Sequence, residues 1–145
     1  MSESRITVAE FEGLVAEAAP FAADYGFRVE SLTRGRAVVR LPASDRHLRP
    51  GGTVSGPAMM ALADFTMYAV TLSEVGRVLL AVTTSLNINF LRRPKPGDVV
   101  AEGRTLKAGR RLVVLEVDVF SDGVEEPVAH VTGTYSVPPE ETEAT

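Results

Sequence analysis

Residues 47–72 read HLRPGGTVSGPAMMALADFTMYAVTL, a Pro- and Gly-rich loop that runs directly into a long apolar segment. The pattern predicts a central helix over residues 57–73, and a helix that is apolar on nearly all sides is buried on several of them. Asp64 is the only charged residue between Ala58 and Ser73. An ionised carboxylate in apolar surroundings is costly unless partners or water compensate it, so Asp64 is a candidate functional residue. The alternative is a structural carboxylate that bonds to a neighbouring hydroxyl such as Thr66, or that faces a solvent groove.

The segments around this helix predict an α+β domain. Residues 6–19 begin with the capping-box pair Thr7 and Glu10 and continue with helical spacing, which predicts a short N-terminal helix. Two strand-like runs precede the central helix, and four runs with period-two alternation follow it. Because the connections are of hairpin length, we expect a mostly antiparallel sheet. A single domain over residues 1–137 would then be followed by an acidic, disordered tail, 138–145.

Composition excludes several classes of function. A chain of 145 residues with 45% hydrophobic content fits one domain with its own core. The absence of cysteine removes disulfides, Cys-ligated zinc and a thiol nucleophile, and it fits the cytoplasm. No run reaches the roughly 20 apolar residues of a membrane span, and a net charge of −4 argues against nucleic acid as a partner. His47 and His130 are far apart and have no second ligand at metal-binding spacing, so no metal is expected.

Self-association is predicted from the same helix. A six-stranded sheet can cover only one face of a helix that is apolar all round, so a second copy of the chain should cover the rest. We therefore expect a homodimer or a larger homo-oligomer.

Three stretches carry a resemblance to a known family: RPGGTVSGPAMMALAD, TSLNINFLRRPKPGD and LKAGRRLVVLEVDVF. They resemble the PaaI-like acyl-CoA thioesterases of the hotdog-fold superfamily over residues 25–137. The resemblance implies a sheet wrapped around one long central helix, and a dimer often paired into a tetramer. It also implies hydrolysis of coenzyme A thioesters, with no cofactor beyond that substrate.

The family pattern assigns roles to individual positions. It has a Gly-rich loop at the helix start and an acid eight residues after its first Gly, and Gly56 and Asp64 stand at these positions. The resemblance implies that Asp64 is the general base or nucleophile and that the Gly56 amide stabilises the oxyanion. Thr83 matches a hydroxyl that positions water in some members. Whether Asp64 activates water or attacks the carbonyl stays open.

Three positions depart from the family pattern. Ser55 replaces the usual His of the loop, Pro57 replaces its second Gly, and Arg49 stands where many members carry Asn or Gln near the substrate carbonyl. These departures keep open an alternative, a non-hydrolytic acyl-CoA-binding or regulatory protein on the same fold. A hotdog hydratase is less favoured, because no His follows Asp64 on the helix.

Helix geometry predicts a shared active site. Eight residues at about 1.5 Å each separate Gly56 and Asp64 by roughly 12 Å, so one reacting carbon cannot touch both. The Asp64 that serves a given Gly56 should therefore come from the partner's antiparallel helix, at the dimer interface.

The remaining candidates are binding residues. Side chains near the loop, the helix and the next strand would line the substrate site: His47, Arg49, Ser55, Pro57, Tyr68, Thr84 and Ser85. Basic residues near strand ends would hold the phosphates of coenzyme A, because charged donors suit phosphate oxygens: Arg92, Arg93, Lys95, Lys107, Arg110 and Arg111. Apolar and aromatic residues of the helix would line the acyl pocket: Met59, Met60, Phe65, Met67 and Tyr68.

Overall fold

The structure is a computed structural model that describes residues 3–19, 22 and 24–139. The elements follow in chain order: α1 (Val8–Ala18), β1 (Arg28–Thr33), β2 (Arg36–Leu41), β3 (Leu48–Arg49), β4 (Thr53–Val54), α2 (Gly56–Val75), β5 (Val82–Phe90), β6 (Val99–Ala108), β7 (Leu112–Ser121) and β8 (Pro127–Ser136). Of the predicted disordered tail, residues 140–145 lie outside the described residues. No helix within the described residues is long and apolar enough to cross a membrane.

Six strands form one antiparallel sheet in the order β1, β2, β6, β7, β8, β5. The long helix α2 packs against this sheet and contacts all six of its strands. The short helix α1 lies beside α2, where the Phe11 ring meets the rings of Phe65 and Tyr68 at centroid distances of 5.4 and 5.7 Å. The predicted α+β class, a sheet around one central helix with a short N-terminal helix, is therefore confirmed.

The core lies between α2 and the sheet. Alternate residues of β7, from Val113 to Val119, are fully buried, whereas Glu116 and Asp118 point away from the helix. Two glycines let α2 approach the strands closely. A Cβ at Gly103 would lie 2.8 Å from the Thr66 methyl, and one at Gly133 would lie 2.8 Å from Cε of Met67. Larger residues at these two positions would push the helix away from the sheet.

The start of α2 differs by one residue from the prediction. Ser55 is the N-cap and accepts a hydrogen bond from the Ala58 amide at 3.2 Å, so the helix begins at Gly56 and Pro57 is its second residue rather than its first. Proline is still tolerated there, because the first four helical N–H groups have no intrahelical acceptor. The helix ends at Val75 and is capped by Gly76, whose φ of 86° favours glycine.

Strand β5 forms one edge of the sheet and, in the part of the chain that the structure describes, pairs with β8 alone. Its two ends carry exposed apolar side chains, Val82 with 56% and Phe90 with 50% of its surface accessible. Leu79 and Leu80 just before the strand and Leu91 just after it are also exposed. An edge of this kind presents unpaired backbone groups together with apolar side chains, which is the surface that strand pairing buries.

Candidate active site

Asp64 lies where α2, β5 and β8 converge. Its half-buried carboxylate accepts hydrogen bonds from Thr83 Oγ1 at 2.6 Å and from the Tyr135 hydroxyl at 2.8 Å. The alternative partner Thr66 is ruled out as a donor to Asp64, because its hydroxyl donates to the Leu62 carbonyl at 2.7 Å. The carboxylate is therefore held by hydroxyls from two neighbouring strands rather than from its own helix.

The Asp64 cavity, as we name it, is a mostly apolar pocket of about 360 Å³. Its apolar walls come from α1, α2, β5 and the segments that precede β1 and β5: Val15, Ala18, Ala19, Ala22, Phe27, Ala61, Phe65, Leu79, Leu80, Ala81 and Val82. Its polar side chains are Asp64, Thr83 and three tyrosines, Tyr25, Tyr68 and Tyr135. A few polar groups in an apolar concavity are typical of small-molecule sites.

Burial raises the pKa of two tyrosines of this cavity, Tyr135 and Tyr68, above the usual value. Burial raises the pKa of the Tyr135 hydroxyl, and the nearby negative charge of Asp64 raises it further. Burial also raises the pKa of Tyr68, whose hydroxyl donates to the Leu79 carbonyl at 3.1 Å. Tyr135 is consequently a hydrogen-bond donor to Asp64 over the whole physiological range.

Gly56 lies in a different place, the Gly56 cavity, a second pocket of about 400 Å³. The other residues around it come from the loop before α2, from α2 and from the end of β5: Arg49, Val54, Met59, Phe90, Leu91, Arg92, Arg93 and Pro94. As the first residue of α2, Gly56 directs its N–H away from the helix at the positive end of the helix dipole, and no acceptor meets it among the described residues. A Cβ on Gly56 would lie 3.3 Å from the Phe90 ring, so glycine permits a close approach there.

Within one chain, the structure therefore separates Gly56 and Asp64, the predicted oxyanion donor and the predicted catalytic acid. Gly56 and Asp64 line different cavities on the same helix, as the separation of roughly 12 Å along eight residues requires. Among the described residues, neither cavity alone contains both an acid and a free helical N–H group.

The predicted phosphate-binding residues are divided between two locations. Arg92 and Arg93 lie in the Gly56 cavity, together with Arg49. Arg110 and Arg111 line a third cavity, of about 720 Å³, near the C-terminal end of α2. Three further arginines line this third cavity, namely Arg5, Arg34 and Arg77. Lys95 and Lys107 are exposed but line neither of these two cavities.

The predicted acyl-pocket residues are corrected in part. Phe65 and Tyr68 line the Asp64 cavity. Met67 is instead fully buried against Gly133, Met59 lines the Gly56 cavity, and Met60 is exposed. The helix is apolar on every side, so the sequence pattern could not separate the residues on its different faces.

The remaining predicted binding residues hold the backbone near the two cavities. His47 is buried against the Tyr25 ring at a centroid distance of 4.9 Å, and its carbonyl accepts from the Ser55 amide at 2.8 Å. Thr84 donates to the Thr134 carbonyl at 3.2 Å. The pairing register shifts between Thr83 and Ser85, so an irregularity in β5 sets the position at which Thr83 meets Asp64.

Sequence reasoning missed Tyr135 and the part that α1 plays in the Asp64 cavity. Tyr135 follows the inward alternation of β8, from Val131 through Gly133, and a Tyr at a buried strand position is a signal that its hydroxyl has a polar partner. Within the described residues, no group of three or more His, Asp or Glu side chains is placed to hold a metal ion.

Comparisons with known proteins identify relatives of this chain. A family model described as the thioesterase superfamily matches residues 51–128, a range that contains Gly56, Asp64 and Thr83. A crystal structure from Silicibacter sp. TM1040, of a protein provisionally named a thioesterase, is 43% identical. It superposes with a TM-score of 0.86 and covers 94% of this chain and 95% of that chain.

Two further relatives, one matched by structure and one by sequence, support the same assignment. A mutant of the phenylacetic acid degradation protein PaaI from Thermus thermophilus is 31% identical, with a TM-score of 0.72 over 82% of this chain and 99% of that chain. A protein of Saccharolobus solfataricus, provisionally named an esterase, is 31% identical over 76% of this chain and 77% of its own length. These similarities confirm the resemblance to PaaI-like hotdog proteins.

Proposed function

The chain belongs to the thioesterase superfamily, and from that premise we propose that it hydrolyses acyl-CoA thioesters to a free acid and coenzyme A. Its relatives support thioester hydrolysis in general terms. The observation that carries the finer proposal is the Asp64 carboxylate, held by Thr83 and Tyr135 in the wall of an apolar cavity. An apolar or aromatic acyl group fits these walls, with its carbonyl carbon next to the acid.

The proposed active unit is a homodimer joined through β5. If β5 pairs with the partner's β5 about a two-fold axis, the strands run antiparallel and the Val82 end of one meets the Phe90 end of the other. Val82 lines the Asp64 cavity and Phe90 lines the Gly56 cavity. Each Asp64 cavity then faces a Gly56 cavity of the partner subunit. The composite site, as we name the two facing cavities, therefore contains both an Asp64 carboxylate and a Gly56 amide.

Catalysis in this site divides into two tasks. The Gly56 amide, supplied by the partner subunit, donates a hydrogen bond to the thioester oxygen as it becomes negative in the tetrahedral intermediate. Asp64 takes a proton from the attacking water, whose oxygen bonds to the carbonyl carbon. The carbon–sulfur bond then breaks, and the coenzyme A thiolate leaves and takes the proton that Asp64 had accepted from water. In the other route, Asp64 itself attacks and water resolves the anhydride; incorporation of ¹⁸O from labelled water into Asp64 after one turnover would identify that route.

The placement of arginines supports a phosphate-bearing carrier. In the sheet, Ser136 pairs with both Val82 and Leu112, so the turn that carries Arg110 and Arg111 lies at the Val82 end of β5. In the proposed dimer, this turn and the partner's Arg92–Arg93 pair would flank the same composite site. Guanidinium groups bind phosphates through paired N–H donors, which suits the three phosphates of coenzyme A in a chain of net charge −4.

A second candidate function is binding of acyl-CoA without hydrolysis. It is favoured by Ser55, whose hydroxyl caps α2 and stands where the family has His, and by Arg49 in the Gly56 cavity. Both functions predict that coenzyme A thioesters bind, and only hydrolysis releases a thiol.

The test is free thiol release from short, medium and aromatic acyl-CoA substrates. The wild type should turn over at least one of them, and Asp64→Asn should lower kcat by about 100-fold or more, the scale of general-base loss. Asp118→Asn, an acid on the outer face of the sheet, is the matched control and should retain activity. Retained binding without turnover across the panel would favour the binding function. The tetramer and the cytoplasmic location stay predictions.

A further inference from the structure

Both hydroxyls that meet the Asp64 side chain contact the same oxygen. Thr83 Oγ1 lies 2.6 Å and the Tyr135 hydroxyl 2.8 Å from Oδ1, and the part of the chain that the structure describes offers no donor to Oδ2. We infer that Tyr135 is a positioning residue that, together with Thr83, fixes the rotation of the Asp64 carboxylate and leaves Oδ2 free to face the substrate. The inference rests on the proposed function for its effect on rate.

A carboxylate on a helix needs such a restraint. The terminal torsion of Asp is broad and roughly two-fold, so the side-chain rotamer alone does not fix the plane of the carboxylate relative to the cavity. Two donors on one oxygen do hold it, because rotation by about a quarter turn would move that oxygen away from both and break both charge-assisted hydrogen bonds. The free oxygen is then positioned either to accept a proton from the attacking water or to attack the carbonyl carbon.

Tyr135 is well placed for this role. Its side chain is 4% exposed, and its backbone pairs with Thr83 on β5 and with Val113 on β7, so strands on both sides hold it. Its hydroxyl lies 2.8 Å from Asp64 Oδ1 and 3.1 Å from the Asp64 carbonyl oxygen, so both acceptors within reach of its single proton belong to Asp64. Because this hydroxyl is engaged with Asp64, Tyr135 acts through the acid rather than on the substrate.

A purely structural role for Tyr135 predicts something different. If the ring only fills space, removal of the hydroxyl would change stability but would leave the orientation of Asp64 and the turnover rate unchanged. Tyr135→Phe separates the two roles, since it keeps the ring and removes the donor. On β5, Thr83→Ser keeps a hydroxyl and Thr83→Val removes it.

The kinetic test uses the full-length protein with the acyl-CoA substrate that it turns over best. Tyr135→Phe should lower kcat by about 10-fold or more, the effect of losing a hydrogen bond to a charged group, with KM within about two-fold. Thr83→Val should also lower kcat, and Thr83→Ser should lower it less than Thr83→Val does, because serine keeps the donor. The double variant Thr83→Val with Tyr135→Phe should approach the rate of Asp64→Asn. A Tyr135→Phe kcat within about two-fold of wild type would overturn the inference.

A second measurement does not depend on activity. Crystal structures of the wild type and of Tyr135→Phe should show one carboxylate orientation in the first and a rotated or mixed one in the second. An unchanged carboxylate in Tyr135→Phe would overturn the inference even if the wild type showed no turnover. Absence of turnover with the expected rotation would instead refute only the proposed function.

Discussion

Gly56 and Asp64 lie eight residues apart on α2 and open into two different cavities. The N–H group at the start of the helix and the acid two turns further along cannot act together within one chain. Their separation makes the edge strand β5 central, because its two ends line the two cavities.

The first prediction concerns this edge. Val82→Glu places a charge on the exposed end of β5, where the proposed pairing would bury it, so the dimer should dissociate and thiol release should fall with it. Sedimentation velocity at micromolar concentration measures the mass. Leu106→Glu is the matched control, since Leu106 is similarly exposed but lies on β6, inside the sheet. A Val82→Glu variant that stays dimeric and active would contradict pairing through β5.

The second prediction concerns acyl length. Ala18 on α1 lines the Asp64 cavity, and Ala18→Phe would fill part of its volume. We expect kcat/KM to fall by about 10-fold or more for the longest acyl group accepted, because lost burial of one or two methylenes has this effect, and to change little for acetyl-CoA.

The control for acyl length is Ala9→Phe, on the exposed side of the same helix. Equal losses for short and long substrates in Ala18→Phe would show that α1 does not border the acyl group.

The third prediction concerns stability in acid. The Asp98 carboxylate accepts from the Ala43 amide at 2.7 Å and from Arg40 at 3.1 Å, and these contacts, the amide first, hold its pKa below the usual value. A lowered pKa in the folded state contributes stability above about pH 4, and this contribution is lost as the pH falls through the folded-state value.

Thermal unfolding of Asp98→Asn tests this assignment. At pH 7 the variant should lose a few degrees of Tm, equivalent to about 1 kcal/mol for a partly exposed charged hydrogen bond. The difference from wild type should shrink as the pH falls below about 4 and through the lowered folded-state pKa, because the wild-type carboxylate then becomes protonated as well. A difference that is independent of pH would mean that the charge of Asp98 does not contribute.

The sequence predicts those features that local pattern determines. The Pro- and Gly-rich loop, the apolar helix and the lone acid indicate α2, Gly56 and Asp64, because each depends on neighbours within a few residues. The alternation in β7 likewise identifies its buried face.

Other features depend on strand order, which local patterns do not contain. Tyr135 lies 71 residues from Asp64 and reaches it only because β8 is inserted between β7 and β5. Strand order also separates the arginines. Arg92 and Arg93 follow the Phe90 end of β5, whereas the turn with Arg110 and Arg111 lies at its Val82 end. The paired strands β3 and β4 have two residues each, too few to show any period.

The most direct test of the shared site uses dimers that combine two inactive chains. One chain carries Asp64→Asn. The other carries Gly56→Ala, whose methyl group would lie 3.3 Å from the Phe90 ring, where the substrate carbonyl must approach. Each variant is first shown to be inactive as a homodimer. Adding Phe90→Leu to the Gly56→Ala chain then shows whether crowding against the Phe90 ring alone causes the loss of activity.

Mixed dimers, purified with a different affinity tag on each chain, should regain about one half of the wild-type rate, because one of the two symmetric sites is then intact. The control pairs a wild-type chain with a chain that carries both substitutions, and it should be inactive, since each of its sites has one defect. Inactive mixed dimers together with a half-active control would contradict the account, because that result would place Gly56 and Asp64 of each site in the same chain.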